Sequence, residues 1–541
     1  MVGTKYFRNR SASDILRPFR GRVLTLCVST VVSSLLQVGI ALVTRDLVDC
    51  AVKSGDRLFL WGVILFINLL LLVILHAVYG WLGGGTADRC VAQLRKALLQ
   101  QAVYSEDDLK YHSGSVMSRA MEDVRTLCDG MVNVIPTIVG QLVRLIASFA
   151  VIVFLFPSVI WVIALGAGVV VLGAVIVRPV LKKHHAAVRA ADEQVLTAMQ
   201  EDLQNLELVK GLGAEKQVLH RFDQRIRYFL KTHTARRVVT VGRNTAILAI
   251  SQLGTGALLL WGAFQVANQG MSYGMLAAML QLISLLRNPV FGLSGLLTRL
   301  SSVEVAEERL SQILTEDTPE AAPADISHVY SIVFEEVTFL YPEEEVPVLE
   351  GFSAKFDLNR WVGMTGMSGK GKTTLFKLIL GLYKPQKGRV YLLTDKGEVP
   401  CSAHTRHLFS YVPQNYALLS GSVLDNLLLA APDADSEQIA RALRLAQADF
   451  VWELPAKENT HVRESNAGLS MGQLQRLAVA RAILMDRPVF LLDECTSALD
   501  APTEEALLQA LFRLDKQGIL VTHRPEALQA VPANEISMRS I

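Results

Sequence analysis

The chain has 541 residues, room for two to four domains, and a net charge of +2, which offers no electrostatic reason to bind nucleic acid. Charged residues are only 19% and the mean hydropathy is +0.33, too high for a uniformly soluble protein, so the averages combine two unlike halves. The six cysteines (Cys27, Cys50, Cys90, Cys128, Cys401 and Cys495) form no CxxC pair, which argues against a disulfide framework or a zinc site.

Residues 1–22 are polar and basic, and no small-residue cleavage site follows the first apolar run, so that run reads as a retained span. About 20 apolar residues cross a bilayer as a helix. Residues 23–44 and 58–87 are uncharged. Residues 145–177 are uncharged around Pro157, which suits a hairpin whose first arm starts near Asn133 and contains Arg144. Residues 244–286 are uncharged around a turn at 268–274. The expected spans are therefore 23–44, 58–87, 133–156, 158–177, 244–267 and 275–297, in a membrane domain over 1–314.

Loop charge sets the orientation. Lys and Arg number six in residues 1–22, six in 88–129 and thirteen in 178–243, against three in 45–57 and none in the hairpin turns. The positive-inside rule places both termini, both long loops and the second half of the chain in the cytosol, with a bacterial plasma membrane as the expected location. The long loops read as helical extensions of the spans. Residues 315–328 are polar and Pro/Ala-rich, an expected linker, and 329–541 has the composition of an α/β domain.

In that second half, GMSGKGKT fits G-x-x-x-x-G-K-[ST] and lies between an expected strand and a helical run. The loop from Gly366 through Ser368, Gly369, Lys370 and Gly371 can turn its backbone N–H groups onto phosphates. Lys372 reaches the β- and γ-phosphates, the Thr373 hydroxyl serves Mg²⁺, and Thr374 completes the candidate ATP contacts. PVFLLDE (488–494) reads as a buried parallel strand ending in two acids. Asp493 is the candidate Mg²⁺ group, and Glu494 is the candidate base that polarises attacking water. Cys495 lies beside them with nothing to activate it, and reads as a core or loop residue.

LSMGQLQRLAVARA (469–482) resembles the signature of ABC transporters, with Ser470, Gly472 and Gln473 in place and Met471 where glycine is usual. The resemblance extends to nearly the whole chain and is to half-size exporters. YHSGSVMSRAMEDV (111–124) and EDLQNLELVKGLGAEKQVLHRF (201–222) resemble stretches of the family's two cytosolic loops, and DILRPFRGRV (14–23) resembles its elbow helix. It implies that Tyr341 stacks on adenine and that Gln414 touches Mg²⁺ and the attacking water. It also implies that Asp500 belongs to the D-loop, that His523 contacts the γ-phosphate and that Glu464 meets the coupling helices. The implied fold is multidomain: an all-α six-helix transmembrane domain, then an α/β P-loop ATPase domain with a helical signature subdomain. The implied function is ATP-driven export by alternating access, with two ATP sites shared across a homodimer.

Spans exclude a soluble repair or translation ATPase. A heterodimer with a second half-transporter, an importer and an ATP-gated regulatory subunit remain open, and export direction rests on the resemblance alone. The expected cargo is hydrophobic, amphiphilic or peptide-like; Arg144 and Arg287 suit an anionic one, unless both snorkel to a membrane boundary. No peptidase precedes the first span, so leader processing is not expected, and the chain stops 18 residues after His523, shorter than the family's usual helical tail.

Overall fold

The computed structural model describes residues 12–53, 55–104, 113–314, 324–341, 344–365, 371–414, 418–462, 468–524 and 534–537, with backbone alone at several helical positions, Arg287 among them. Two compact units result, Ser11–Arg95 with Arg119–Ser311, and a second dominated by the chain from Gln312 onward.

The first unit is built on six long helices: α1 (Arg20–Lys53), α2 (Leu58–Tyr104), α3 (Ile135–Leu155), α4 (Ile160–Gln204), α5 (Glu215–Ala267) and α6 (Tyr273–Leu314). Among the described residues, Arg17–Lys53, Leu58–Tyr104, Val116–Leu155 and Glu215–Ala267 are long and apolar enough to cross a membrane. The apolar part of α6 is shorter, Tyr273–Leu286. Their outward faces are apolar and exposed, as at Phe59 and Phe154, 86% and 85% accessible, which suits lipid rather than water. Charge marks where a membrane ends, not where a helix ends, so α2 runs on past its uncharged stretch to Tyr104.

Small residues let these helices approach. A Cβ on Gly140 would meet Thr30 Cβ at 3.0 Å. Beside it, Ser34 Oγ donates to Gly140 O at 2.8 Å and Thr30 Oγ1 to Pro136 O at 3.0 Å, binding α1 to α3. At the other end of α1, Asp49 accepts from Ser272 Oγ at 2.7 Å and from Gly274 N at 2.8 Å, tying α1 to the start of α6. Val38, Ile152, Leu258 and Met279 close a core among α1, α3, α5 and α6. Asp192 and His233, 2.8 Å apart, link α4 to α5. The short helix Leu206–Gly211 between them is exposed at Leu206 and Leu208.

Beside a two-stranded sheet that pairs Gly421–Ser422 with His461–Val462, the second unit holds two large sheets. The antiparallel one orders β2 (Leu349–Asp357), β1 (Val329–Phe339), β4 (Lys387–Thr394) and β5 (Gly397–Pro400). The parallel one orders β9 (Asn534–Ser537), β3 (Val362–Thr365), β8 (Gln517–Val521), β7 (Val489–Asp493) and β6 (Phe409–Val412). Phe334, Phe356, Phe376 and Leu491 fill the core between the sheets. The opposite face of the parallel sheet packs on helices that include α10 (Met471–Leu484) and α11 (Ala501–Phe512); α7 (Lys372–Ile379), α8 (Val423–Leu428) and α9 (Ser436–Leu445) complete the domain. All five residues of β7 are buried, as a strand covered on both faces requires. In the register Val521 lies opposite both Met364 and Asp493, so β3, β7 and β8 deliver their carboxyl ends to one edge, where α/β sheets bind ligands.

Candidate nucleotide site

The edge is assembled from four segments. After β3 the chain reaches Gly371, whose φ of +81° favours glycine. A Cβ there would also press Val348 Cγ1 and Leu349 Cδ2 at 3.0 and 3.1 Å. Gly371 is thus the hinge from which α7 starts, with Lys372 its first residue. Gly366, Ser368, Gly369 and Lys370 lie outside the described residues, as does Glu464.

Lys372 is 5% exposed, and its Nζ stands 3.5 Å from both ring nitrogens of His523. Burial pushes its amine pKa down, and the nearby carboxylates of Glu494 and Asp493 counter this. Asp493 ends β7 fully buried, and neither carboxylate oxygen has a well-formed hydrogen bond from the described residues. Burial pushes its pKa up, while Thr373 alongside pulls it down. An orphaned buried carboxylate beside a hydroxyl at a lysine-lined edge is an arrangement that a divalent cation would satisfy, so Asp493 and Thr373 fit Mg²⁺.

Glu494 leaves the strand at φ +51°, a left-handed conformation uncommon for a non-glycine residue, and its N–H donates to Val521 O at 3.1 Å. This turn swings its side chain away from the course of β7 into the edge. There Oε1 lies 2.7 Å from His523 Nε2, and Oε2 accepts from Gln414 Nε2 at 3.1 Å. Lys372, Gln414, Glu494 and His523 therefore form one connected polar group. Cys495 behind them is completely buried, and burial pushes its thiol up to about 12, so it stays protonated and inert.

Tyr341 stands edge-on to Phe339 and Tyr383, with ring centroids 5.0 and 5.7 Å away, and its hydroxyl lies 3.1 Å from Thr374 Oγ1. Both neighbouring rings stand perpendicular to it and its hydroxyl is tied, an arrangement that fixes the plane of the ring. Ser470 caps α10 in a capping box: its Oγ accepts from Gln473 N at 3.3 Å while Gln473 Oε1 accepts from Ser470 N at 2.8 Å. Gly472 lets Ala498 approach, since a Cβ would lie 3.0 Å from that carbonyl, and Met471 is 57% exposed. Asp500 precedes α11 with its carboxyl held below the usual range by Thr503.

Two residues outside the candidate set tie these parts together. Gln475, fully buried in α10, donates to Ser497 Oγ at 2.9 Å and accepts from Ala498 N at 3.0 Å. Arg524 donates to Leu499 O at 3.2 Å and to Glu504 Oε2 at 2.8 Å. The segment after Glu494 is thereby clamped from two sides. In the sequence Gln475 is legible as part of LSMGQLQR, the stretch that resembles the signature.

The transmembrane-region model of ABC transporters matches residues 23–290, and the ABC transporter model for the ATPase matches 349–497. A lactococcin transport/processing ATP-binding protein LcnC-like, of Lactococcus lactis subsp. lactis (strain IL1403), is 31% identical over 362 residues, 65% of this chain and 49% of that protein. The chain thus spans about half the length of such relatives. An export ATP-binding/permease protein of Rickettsia bellii (strain RML369-C) is 26% identical over 530 residues, 92% of this chain and 90% of that protein. Among solved structures, a bacterial Atm1-family ABC exporter with ATP bound superposes with a TM-score of 0.80 at 20% identity, covering 96% of this chain and 93% of the other, which establishes likeness of fold.

Proposed function

Because the chain belongs to the ABC transporter family, as a multi-pass membrane half followed by a nucleotide-binding ATPase half, we propose that it couples ATP hydrolysis to export of a substrate by alternating access. The observation that carries this reading is the polar group at the sheet edge, Lys372, Gln414, Glu494 and His523, beside the orphaned carboxylate of Asp493. These are the parts phosphoryl transfer to water requires: a cation for the phosphates, an acceptor for the proton of water and groups that orient both.

Lys372, poised at the start of α7, binds the β- and γ-phosphates. Asp493 and Thr373, with Gln414 beside them, would hold Mg²⁺, which would supply positive charge against the phosphates. Glu494 accepts the proton of the attacking water. Its Oε1 pairs with His523 Nε2 and its Oε2 accepts from Gln414 Nε2. An arriving γ-phosphate draws His523 and Lys372 to itself and frees one carboxylate oxygen for water. Tyr341 carries the adenine. Ser470, Gly472, Gln473 and Asp500 serve the ATP of a second chain, which makes the working unit a dimer, most simply a homodimer. A partner half-transporter is the alternative that Met471 leaves room for.

Loop charge supports a cytosolic ATPase half with both termini on the same side, and the bacterial relatives support a plasma membrane. Relatives named for export support the outward direction, and one named for lactococcin supports a hydrophobic, amphiphilic or peptide-like cargo.

The test needs no known cargo. A single cysteine at Gln37, in an otherwise cysteine-free chain, is labelled in proteoliposomes by an impermeant thiol reagent. Without nucleotide the label enters from the ATPase side. With ATP trapped by Glu494→Gln it enters from the other side. Labelling indifferent to ATP would contradict coupled alternating access.

A further inference from the structure

Between α1, α2 and α3 lies a cavity of about 510 Å³, within the size range of small-molecule sites. Leu72, Val73 and Leu75 make one part of its wall apolar, while Gln37, His76, Gln141 and Arg144 make another polar. Arg144 is the one Lys or Arg on this wall, and no Asp or Glu lines it among the described residues.

Arg144 does not sit at a membrane boundary. It is the tenth of the 21 residues of α3, roughly 14 Å along the axis from the nearer end at 1.5 Å per residue. On that side the helix continues through a wider turn at Gly130–Val134. Asp129, the nearest charged residue before it, is 15 positions away, roughly 22 Å, and the turn at Pro157 is 13 positions beyond it, roughly 20 Å, so a central place fits better than snorkelling. A charge at mid-membrane is costly and persists where it is used. Its Nε is buried with no acceptor among the described residues. Gln141 Oε1 and Ser29 Oγ, on the same cavity, are buried and equally without partners. By contrast the Thr30 hydroxyl already faces Cys27 O and Pro136 O, and the Ser34 hydroxyl donates to Gly140 O, so they build the wall rather than serve a ligand.

We propose that this cavity binds an anionic amphiphile, its phosphate or carboxylate headgroup on Arg144 and its apolar body along Leu72, Val73 and Leu75, as the cargo of the transporter. This rests on the transport reading above. The guanidinium fork matches a carboxylate or phosphate edge with two parallel hydrogen bonds. Gln141, three residues before Arg144, can turn its amide to donate a third, and Ser29 a fourth. The absence of a lining carboxylate leaves a cationic amphiphile without a counter-charge and facing Arg144, so the site discriminates by sign.

Equilibrium binding to the full chain in nanodiscs of neutral lipid, without nucleotide, tests this. The probes are dodecyl phosphate, its neutral dimethyl ester and dodecyltrimethylammonium. Dodecyl phosphate binds at least about tenfold tighter than the other two, the lower end of what a hydrogen bond to a charged group is worth. Arg144→Gln abolishes that preference and Arg144→Lys restores part of it. Equal binding of all three probes, or a preference that survives Arg144→Gln, overturns the proposal. Should the Arg144→Gln chain fail to fold, Gln141→Leu keeps the charge and weakens dodecyl phosphate about three- to tenfold; unchanged affinity there counts against this cavity. Competition by phosphatidic acid identifies a lipid as the source of the headgroup, and competition by a short-chain alkyl phosphate identifies a soluble acid. Inorganic phosphate binding as tightly as dodecyl phosphate would overturn the amphiphile. ATP turnover of the unmodified chain is measured in parallel: its absence strikes the transport reading, whereas turnover without charge preference strikes this one.

Discussion

His523 Nε2 lies 2.7 Å from Glu494 Oε1, and the same imidazole stands 3.5 Å from Lys372 Nζ. One histidine thus bridges the group that would accept a proton and the group that would bind phosphate. His523→Ala should lower turnover by about tenfold to 100-fold through misorientation of Glu494 and the γ-phosphate, with a smaller effect on ATP affinity. Paired measurements of kcat and nucleotide Kd check this. An equal loss in both would assign His523 to binding alone.

Gln475 is fully buried, with hydrogen bonds to Ser497 Oγ and from Ala498 N. Gln475→Leu removes both at little change of volume and strands a backbone N–H. The expected cost is about 1–3 kcal/mol of stability. A lower Tm together with slowed turnover at saturating ATP is the predicted result, because the segment linking Glu494 to Asp500 loses one of its two clamps. An unaltered Tm would show that water replaces the amide.

Tyr341 offers a separable test. Its ring is set by Phe339 and Tyr383, and its hydroxyl meets Thr374. Tyr341→Phe should keep nucleotide affinity within about threefold while losing on the order of 1 kcal/mol of stability with the hydrogen bond. Tyr341→Ala should weaken ATP by about tenfold, the range of an aromatic stacking contact. A Kd as damaged by Phe as by Ala would make the hydroxyl, not the ring, the contact.

Much of this was legible in the sequence because the chemistry tolerates few residue types. GMSGKGKT needs its glycines and lysine, and uncharged runs such as 58–87 can hardly be soluble. The apolar run PVFLLDE similarly gives a buried strand with acids at its end. What the sequence hides depends on tertiary placement. The left-handed turn at Glu494 gives no composition signal, since glycine is the residue expected there. The pairing of Glu494 with His523 joins residues 29 apart that only the β7–β8 register brings together. The expected span 133–156 already puts Arg144 near its middle; what the sequence hides is that Arg144 Nε, Gln141 Oε1 and Ser29 Oγ share one cavity without partners among the described residues.

Sharing of sites between chains predicts complementation. Lys372→Ala and Ser470→Arg each inactivate, yet a mixed dimer has one site carrying both defects and one intact. Occlusion of ATP by the co-expressed pair and by neither variant alone is the expected outcome. No occlusion in verified mixed dimers would favour sites within single chains.

The most direct measurement is ATP turnover against ATP occlusion in the purified, lipid-reconstituted Glu494→Gln protein with Mg²⁺ present. The carboxylate that His523 and Gln414 hold in place is the proposed base, and general bases contribute about 10²–10⁴-fold. The account predicts turnover at least about 100-fold below the unmodified chain, with ATP still bound and trapped. Turnover within about threefold of the unmodified chain, or loss of ATP binding along with turnover, would contradict it.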